Sequence, residues 1–298
     1  MSRRRKSFAA LLFCYLIWGT QPVYWDLLSG FNAMFVLCCR IIMSAICTVF
    51  FLACSGRLRE YLSAFKNRRL MRYLLPAAVF LCADWGLFNW AVMSGHVIDT
   101  ALGYYLNPIV IFVIGLVFFR ERGSAMEYSA VAIATLGVVI STVQNGSFPL
   151  ISVLCALSWP IYASTKKAAG ADPIVSVAVE STLLSPFAIA ASLLFFRGSG
   201  GLGSVSGGVD VLLLVVSGLV TATPMILYTY AVDDLPFKVV GIMQYLSSTI
   251  SFACGILFLN EEVTASKLVM FGFIVAGLVV FTAGSFRRQS PQLSLPTE

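Results

Sequence analysis

Ten long apolar runs follow one another along the chain, with short polar segments between them. A run of about 20 apolar residues, wound as an α-helix, is long enough to cross the hydrocarbon core of a bilayer. The runs are continuous and do not alternate between apolar and polar positions, so they indicate helices rather than the strands of a membrane barrel. The pattern therefore predicts an all-α integral membrane protein with ten transmembrane helices. The runs cover residues 8–28, 32–54, 74–93, 98–119, 125–143, 149–165, 174–196, 209–231, 239–259 and 266–286.

The composition excludes an ordinary soluble domain. Of the 298 residues, 59% are hydrophobic and 11% are charged, and the mean hydropathy is +0.88. Soluble domains are about 45–50% apolar and about 25% charged, so a water-exposed fold would not bury this much apolar surface. The basic residues from Arg3 to Lys6 precede the first run. That run is too long for the apolar part of a signal peptide, so we interpret it as the first span.

The distribution of Lys and Arg predicts the orientation, because basic residues collect in cytoplasmic loops. If the N-terminus lies inside, 17 of the 20 basic residues fall in inner segments, and the outer segments hold only Arg197 and Lys267. Both termini are therefore expected in the cytoplasm, with an even number of spans. The net charge of +6 is then a topology signal, so we expect a lipid bilayer and not a nucleic acid as the partner.

The chain resembles itself when it is shifted by 140 residues. Without a gap, 10 of the 39 positions from 104 to 142 are identical to their counterparts, including Glu121 with Glu261 and Gly137 with Gly277. Chance similarity of apolar helices is the alternative, but matched Gly and Glu residues at one offset favour a duplication. One repeat holds five spans, and an odd number makes the second copy run upside down, as in many secondary transporters. We predict an inverted pair of five-helix repeats, 8–145 and 149–286, followed by a disordered cytoplasmic tail, 287–298.

Polar and aromatic stripes mark the spans that correspond between the repeats. The ninth span has Gln244 and Ser248 on one helical face, and the equivalent face of the fourth has Tyr104 and Asn107. Such stripes avoid lipid, so they serve either helix packing or the lining of a wet pathway. The first and eighth spans add further aromatic and polar positions, which are Trp18, Gln21, Trp25 and Tyr228.

Charged residues inside the spans are the sharpest functional signal. Arg40 in the second span and Glu180 in the seventh occupy equivalent positions of the two repeats. Intramembrane charges are costly, and they are usually paired and functional. Arg40 would hold a substrate carboxylate through its guanidinium, and Glu180 would hold an amine or carry a proton. The alternative is a structural ion pair between them. Asp84, near Asn89 in the third span, is a weaker candidate, and Asp99 would simply begin the fourth helix.

These segments resemble the drug/metabolite transporter superfamily, in its EamA family, and within that family the RarD-type permeases. The resemblance extends over about 8–285, and its single motifs are less specific than their order and spacing. Gln244-Tyr245 belongs to one of them, and Asp84 and Ser248 depart from the family pattern. The segments are YLIWGTQPVYW (15–25), CRIIMS (39–44), DWGLFNWAV (84–92), ALGYYLNP (101–108), RE (120–121), VESTLLSP (179–186), TATPMILYTYAV (221–232) and GIMQYLSSTISF (241–252).

The resemblance implies alternating access around a central cavity, in a multi-pass protein of the bacterial inner (plasma) membrane. It implies a secondary-active transporter that exports amino acids or related small metabolites, and some members are linked to sensitivity to drugs such as chloramphenicol. The sequence has no enzyme or nucleotide-binding motif, so we expect no catalysis and no cofactor. A passive channel or facilitator and a non-transport membrane subunit remain as alternatives. One chain would enclose a pathway, so a monomer or a homodimer is expected.

Overall fold

The computed structural model describes residues 3–118, 123–170, 172–232, 235 and 237–289. In this described part the chain forms α-helices and one short 3₁₀ turn, Leu202–Ser204, and no strand. The all-α prediction is therefore confirmed for these residues. The helices are α1 (Arg3–Asp26), α2 (Ala33–Cys54), α3 (Leu58–Lys66), α4 (Arg68–Met93), α5 (Val97–Tyr105), α6 (Asn107–Phe118), α7 (Ala125–Asn145), α8 (Leu150–Ala169), α9 (Pro173–Phe195), α10 (Gly208–Val232), α11 (Phe237–Leu257) and α12 (Ala265–Gln289).

Every predicted run coincides with helix, and the fourth run coincides with the pair α5 and α6. Among the described residues, six helices are long and apolar enough to cross a membrane, and the bent pair would make seven. The chain is thus a multi-pass membrane protein. The six are Ala33–Cys54, Arg68–Met93, Ala125–Gln144, Ile174–Phe195, Gly208–Tyr228 and Ala265–Gly284.

The fourth run is bent where the sequence suggested one continuous helix. The axes of α5 and α6 differ by 44° across the break at Leu106. Pro108 follows directly, and its ring excludes the amide hydrogen bond to Tyr104 that a continuous helix needs. The Leu106 amide instead donates to Gly103 at 2.9 Å, in the tighter geometry of a helix end.

Two further differences lie at helix ends. The inner segment after α2 contains the short helix α3, which the apolar pattern did not predict. Its N-terminal residue Arg57 forms ion pairs with Glu60 at 2.7 Å and with Asp172, the N-cap of α9, at 2.9 Å. At the other end, α12 continues to Gln289, so residues 287–289 of the predicted tail are helical, because Arg and Gln are good helix formers. Residues 290–298 lie outside the described residues.

Helices that correspond under the offset of 140 residues pack on one another. Thus α2 packs on α9, and α7 packs on α12. Likewise, α1 lies against α10 and α11, while its counterpart α8 lies against α4 and α5. The contacts therefore largely repeat when the two halves of the chain are exchanged.

A carboxylate from the second half caps the first half at the start of α5. The Glu261 side chain accepts hydrogen bonds from the Val97 amide and, at 2.9 Å, from the Ile98 amide. Asp99 lies in the first turn of α5 and contacts Lys267 of α12 at 3.1 Å. Negative charge at a helix N-terminus is stabilising, so this cluster fastens α5 to the start of α12. Glu121, the repeat equivalent of Glu261, lies outside the described residues.

Glycine permits the close approach of α2 and α10. A β-carbon added to Gly218 would lie 2.4 Å from the Met43 carbonyl oxygen. We expect Gly218→Ala to lower the stability of the purified protein by about 1–3 kcal/mol, because backbone would have to move. The check is the unfolding temperature in detergent.

Gly272→Ala in α12 is the matched control, because nothing lies within 4 Å of the added carbon. Alanine is the better helix former, so this variant is expected to be neutral or slightly more stable. Equal unfolding temperatures for the two variants would contradict the packing explanation.

Candidate functional site

Arg40 on α2 is the centre of the site, and it is 4% exposed. Its guanidinium carbon lies 4.6 Å from the ring centroid of Trp25 and 4.4 Å from that of Trp85. Nη1 donates to Asn89 Oδ1 at 2.8 Å, and Nε donates to Thr221 Oγ1 at 3.1 Å. Cation–π contacts and these hydrogen bonds replace the water that the charge has lost. The guanidinium is therefore held in one orientation by residues from α1, α4 and α10.

The partners of Arg40 are themselves constrained to act as acceptors. The Thr221 hydroxyl donates its own hydrogen to the Ser217 carbonyl at 2.9 Å, which leaves its lone pairs for Arg40. Asn89 is fully buried, and its oxygen faces Nη1. Nη2 of Arg40 donates no hydrogen bond to any residue that the structure describes, while Arg40 lines an internal cavity. The guanidinium thus keeps donor capacity for another molecule.

Asp84 on α4 lines the same cavity and is 4% exposed. Ser158 of α8 donates a hydrogen bond of 2.6 Å to its Oδ1. The ion pairs among the described residues do not include one between Asp84 and Arg40. The cavity therefore presents one cation and one anion that remain available to a ligand.

Aromatic rings form one wall of the cavity. Trp18 of α1 lies edge-on to Trp159 of α8, with ring centroids 6.2 Å apart, and 5.7 Å from Tyr228 of α10. Phe88 and Tyr104 continue this wall, with ring centroids 5.9 Å apart. Rings in this arrangement offer a large apolar contact surface to a ligand.

Amide and hydroxyl groups from α1, α6 and α11 form the opposite part of the lining. Gln21 is oriented by a hydrogen bond of 2.9 Å from its Nε2 to the Val220 carbonyl. Asn107, at the start of α6, is 1% exposed, and its Oδ1 has no hydrogen-bond partner among the described residues. A buried acceptor without a partner is uncommon, and it is the kind of group that a bound donor satisfies. The other polar lining residues are Gln244, Ser247, Ser248 and Ser251.

Most of the candidate residues from the sequence come together here. Trp18, Gln21, Arg40, Asp84, Tyr104, Asn107, Gln244 and Ser248 line the cavity. Trp25, Asn89 and Tyr228 contact lining residues from behind.

Two candidates lie elsewhere. Glu180 is fully buried and accepts a hydrogen bond of 2.9 Å from the Tyr162 hydroxyl, and it is not among the residues that line the cavity. No ion pair joins Glu180 to Arg40 in the described part of the chain. Tyr245 stacks on Tyr105 at 6.2 Å within an apolar cluster.

The sequence reasoning missed three apolar lining residues, Phe88, Trp159 and Met225. Two signals were available. Phe88 lies one helical turn beyond Asp84, and Met225 is the counterpart of Trp85 under the offset of 140 residues. Trp159 has no such signal, because it lies opposite Trp18 only after α1 and α8 have come together.

The chain matches the model of the EamA-like transporter family over residues 6–143 and again over 148–283. Among curated proteins it is 34% identical to the uncharacterized transporter YojE of Bacillus subtilis over 272 residues, which is 90% of each chain. It is 31% identical to protein RarD of Salmonella typhi over 291 residues, covering 96% of this chain and 97% of RarD.

A solved crystal structure of a protein with 17% sequence identity matches the fold with a TM-score of 0.59. The match covers 95% of this chain and 98% of the other. At this identity the likeness concerns the fold alone.

Asn89 provides a test of how Arg40 is held. We expect Asn89→Leu to lower stability by about 1–3 kcal/mol, because Nη1 would lose a buried acceptor. Asn89→Asp keeps an acceptor and adds an opposite charge beside Arg40, so it is expected to retain most of the stability. Unfolding temperatures in detergent check both variants. A Leu variant as stable as the Asp variant would contradict this account.

Proposed function

This chain belongs to the EamA-like transporter family, and we propose that it is a secondary-active exporter of amino acids or related small metabolites that works by alternating access. The observation that carries the proposal is the presence of Arg40 and Asp84 in one buried cavity, without an ion pair between them. Such a pair of separated, opposite charges is complementary to a small zwitterion.

The chemistry of each wall supports a specific pose. The substrate carboxylate would accept hydrogen bonds from Arg40, whose planar group matches a carboxylate. The ammonium group would donate to Asp84, with Asn107 as a further acceptor. An apolar or aromatic side chain would lie against Trp18 and Trp159.

The sequence and the packing support the architecture that this function needs. We propose ten spans in two inverted repeats, with the bent pair α5–α6 as a single span. The exchange of equivalent contacts between the halves and the offset of 140 residues support the duplication. The excess of basic residues in the inner segments supports cytoplasmic termini in the bacterial inner membrane. The cavity is lined by one chain, so a monomer suffices for transport.

A passive facilitator for small polar solutes is the second candidate function. The unpartnered acceptor of Asn107 and the unpaired charges would serve it as well, since they also favour polar solutes. Accumulation of solute against its gradient separates the two, because a facilitator only equilibrates. A non-transport subunit would move no solute in liposomes.

Chloramphenicol is a second candidate solute, suggested by the resemblance to permeases linked with drug sensitivity. It carries no charge at neutral pH, so it would use the aromatic wall of Trp18 and Trp159 rather than Arg40. Its transport should therefore be insensitive to substitution of Arg40, in contrast to that of a zwitterion.

Arg40 variants test the proposed function. The purified full chain is reconstituted in liposomes, and exchange is measured for L-phenylalanine, 3-phenylpropionate and 2-phenylethylamine. For the wild type we expect saturable exchange of phenylalanine. Arg40→Ala should weaken binding of both carboxylates about 10–150-fold, which corresponds to about 1.5–3 kcal/mol for hydrogen bonds to a charged group. Phenylethylamine lacks the carboxylate, so its binding should change much less.

Arg59→Lys, on the exposed side of α3, is the matched control for Arg40→Lys. Only Arg40→Lys should impair phenylalanine exchange, because lysine replaces the planar fork by a single ammonium group. Unfolding temperatures show whether each variant is folded. Folded Arg40→Ala and Arg40→Lys variants with full phenylalanine exchange would exclude Arg40 from the site.

A further inference from the structure

Asp84 occupies an unusual electrostatic position. It is the 17th of 26 residues in α4, is 4% exposed, and has one hydrogen-bond donor, the Ser158 hydroxyl. Among the described residues it forms no ion pair. A carboxylate far from water costs free energy unless a positive charge or a proton compensates it.

Arg40 does not supply that compensation by direct contact. Its hydrogen bonds go to Asn89 and Thr221, and two indole rings cover the faces of its guanidinium. These contacts come from three different helices, so the guanidinium is not free to turn toward Asp84. The Asp84 carboxylate is therefore left for a mobile partner that enters through the cavity.

The other titratable groups near Asp84 do not exchange protons readily near neutral pH. They are Arg40 on α2, Tyr104 on α5, and Cys155 and Tyr162 on α8. Arginine keeps its proton, and phenol and thiol groups hold theirs under these conditions. From α9, Glu180 contacts Tyr162 and does not line the cavity. Asp84 is thus the carboxyl group in the lining that would load and release a proton.

We infer that Asp84 is the coupling site, where a proton and the ammonium group of the substrate bind in turn. This inference rests on the proposed function. In the empty cavity the Asp84 carboxyl group carries a proton. When a zwitterion binds, its ammonium group donates to the carboxylate, and the Asp84 proton leaves to cavity water, so charge is conserved. The two ligands exclude one another, which makes the transporter a proton antiporter.

Calorimetry measures this exchange directly. Binding of L-phenylalanine to the purified full chain is titrated in phosphate and in Tris buffers, whose ionisation enthalpies differ. For the wild type we expect proton release that rises toward about one proton per ligand as the pH falls from about 8 to about 5.5, with weaker apparent affinity at the lower pH. Binding of 3-phenylpropionate, which has no amine, should release no proton.

Variants assign the released proton to a residue. Asp84→Asn should abolish proton release while binding of 3-phenylpropionate remains, which also shows that the variant is folded. Glu262→Gln is the matched control, because Glu262 is exposed in the segment between α11 and α12, and it should release as the wild type does. Glu180→Gln should also retain the release. Release that persists in Asp84→Asn, or disappears in Glu180→Gln, would overturn the assignment.

Transport gives a second readout. With the membrane potential held at zero, a pH gradient of one unit across liposomes should concentrate phenylalanine about tenfold through the wild type, since one unit corresponds to about 1.4 kcal/mol. Asp84→Asn should accumulate none while still exchanging 3-phenylpropionate. Wild-type phenylalanine binding without proton release would overturn the coupling role alone. No saturable binding of any of the three probes by the wild type would overturn the proposed function as well.

Discussion

The positive charge of Arg40 is the constraint on which the centre of the molecule depends. A guanidinium in the middle of a membrane helix is costly unless protein groups replace its water. Two indole rings cover its faces, and Asn89 and Thr221 accept its hydrogen bonds. Because these groups come from α1, α4 and α10, satisfying one side chain fixes how three helices meet α2. The cavity lies where they meet.

Duplication explains the positions around the cavity, and divergence explains its chemistry. Tyr104 and Gln244 are repeat equivalents, and both line the cavity. Arg40 and Glu180 are also equivalent, yet Glu180 packs against Tyr162 instead. A symmetric use of both positions would have set an ion pair at the centre. Instead, Asp84 on another helix supplies the negative charge, so the cation remains available.

The interruption between α5 and α6 serves the same centre. Irregular backbone at membrane depth is tolerated where it is buried in protein or lines a cavity. Pro108 causes the interruption, and Asn107 beside it points a buried acceptor without a described partner into the lining. Close helix contacts surround this region, since Gly103 approaches the Ser152 backbone, where a β-carbon would lie 2.4 Å from the carbonyl oxygen. The bend and the small residue together let α8 approach the cavity.

The sequence by itself determined the membrane class, the helical secondary structure and most of the lining. Apolar length and the cost of intramembrane charge are local properties, so they identified the helices, Arg40, Asp84 and the stripes that contain Gln21 and Gln244. Only the tertiary structure decided which polar groups share a cavity. It placed Glu180 beside Tyr162 and Trp159 opposite Trp18, and it gave Arg40 its acceptors. Partner choice depends on which helices pack together and at what rotation, and one-dimensional spacing does not contain that information.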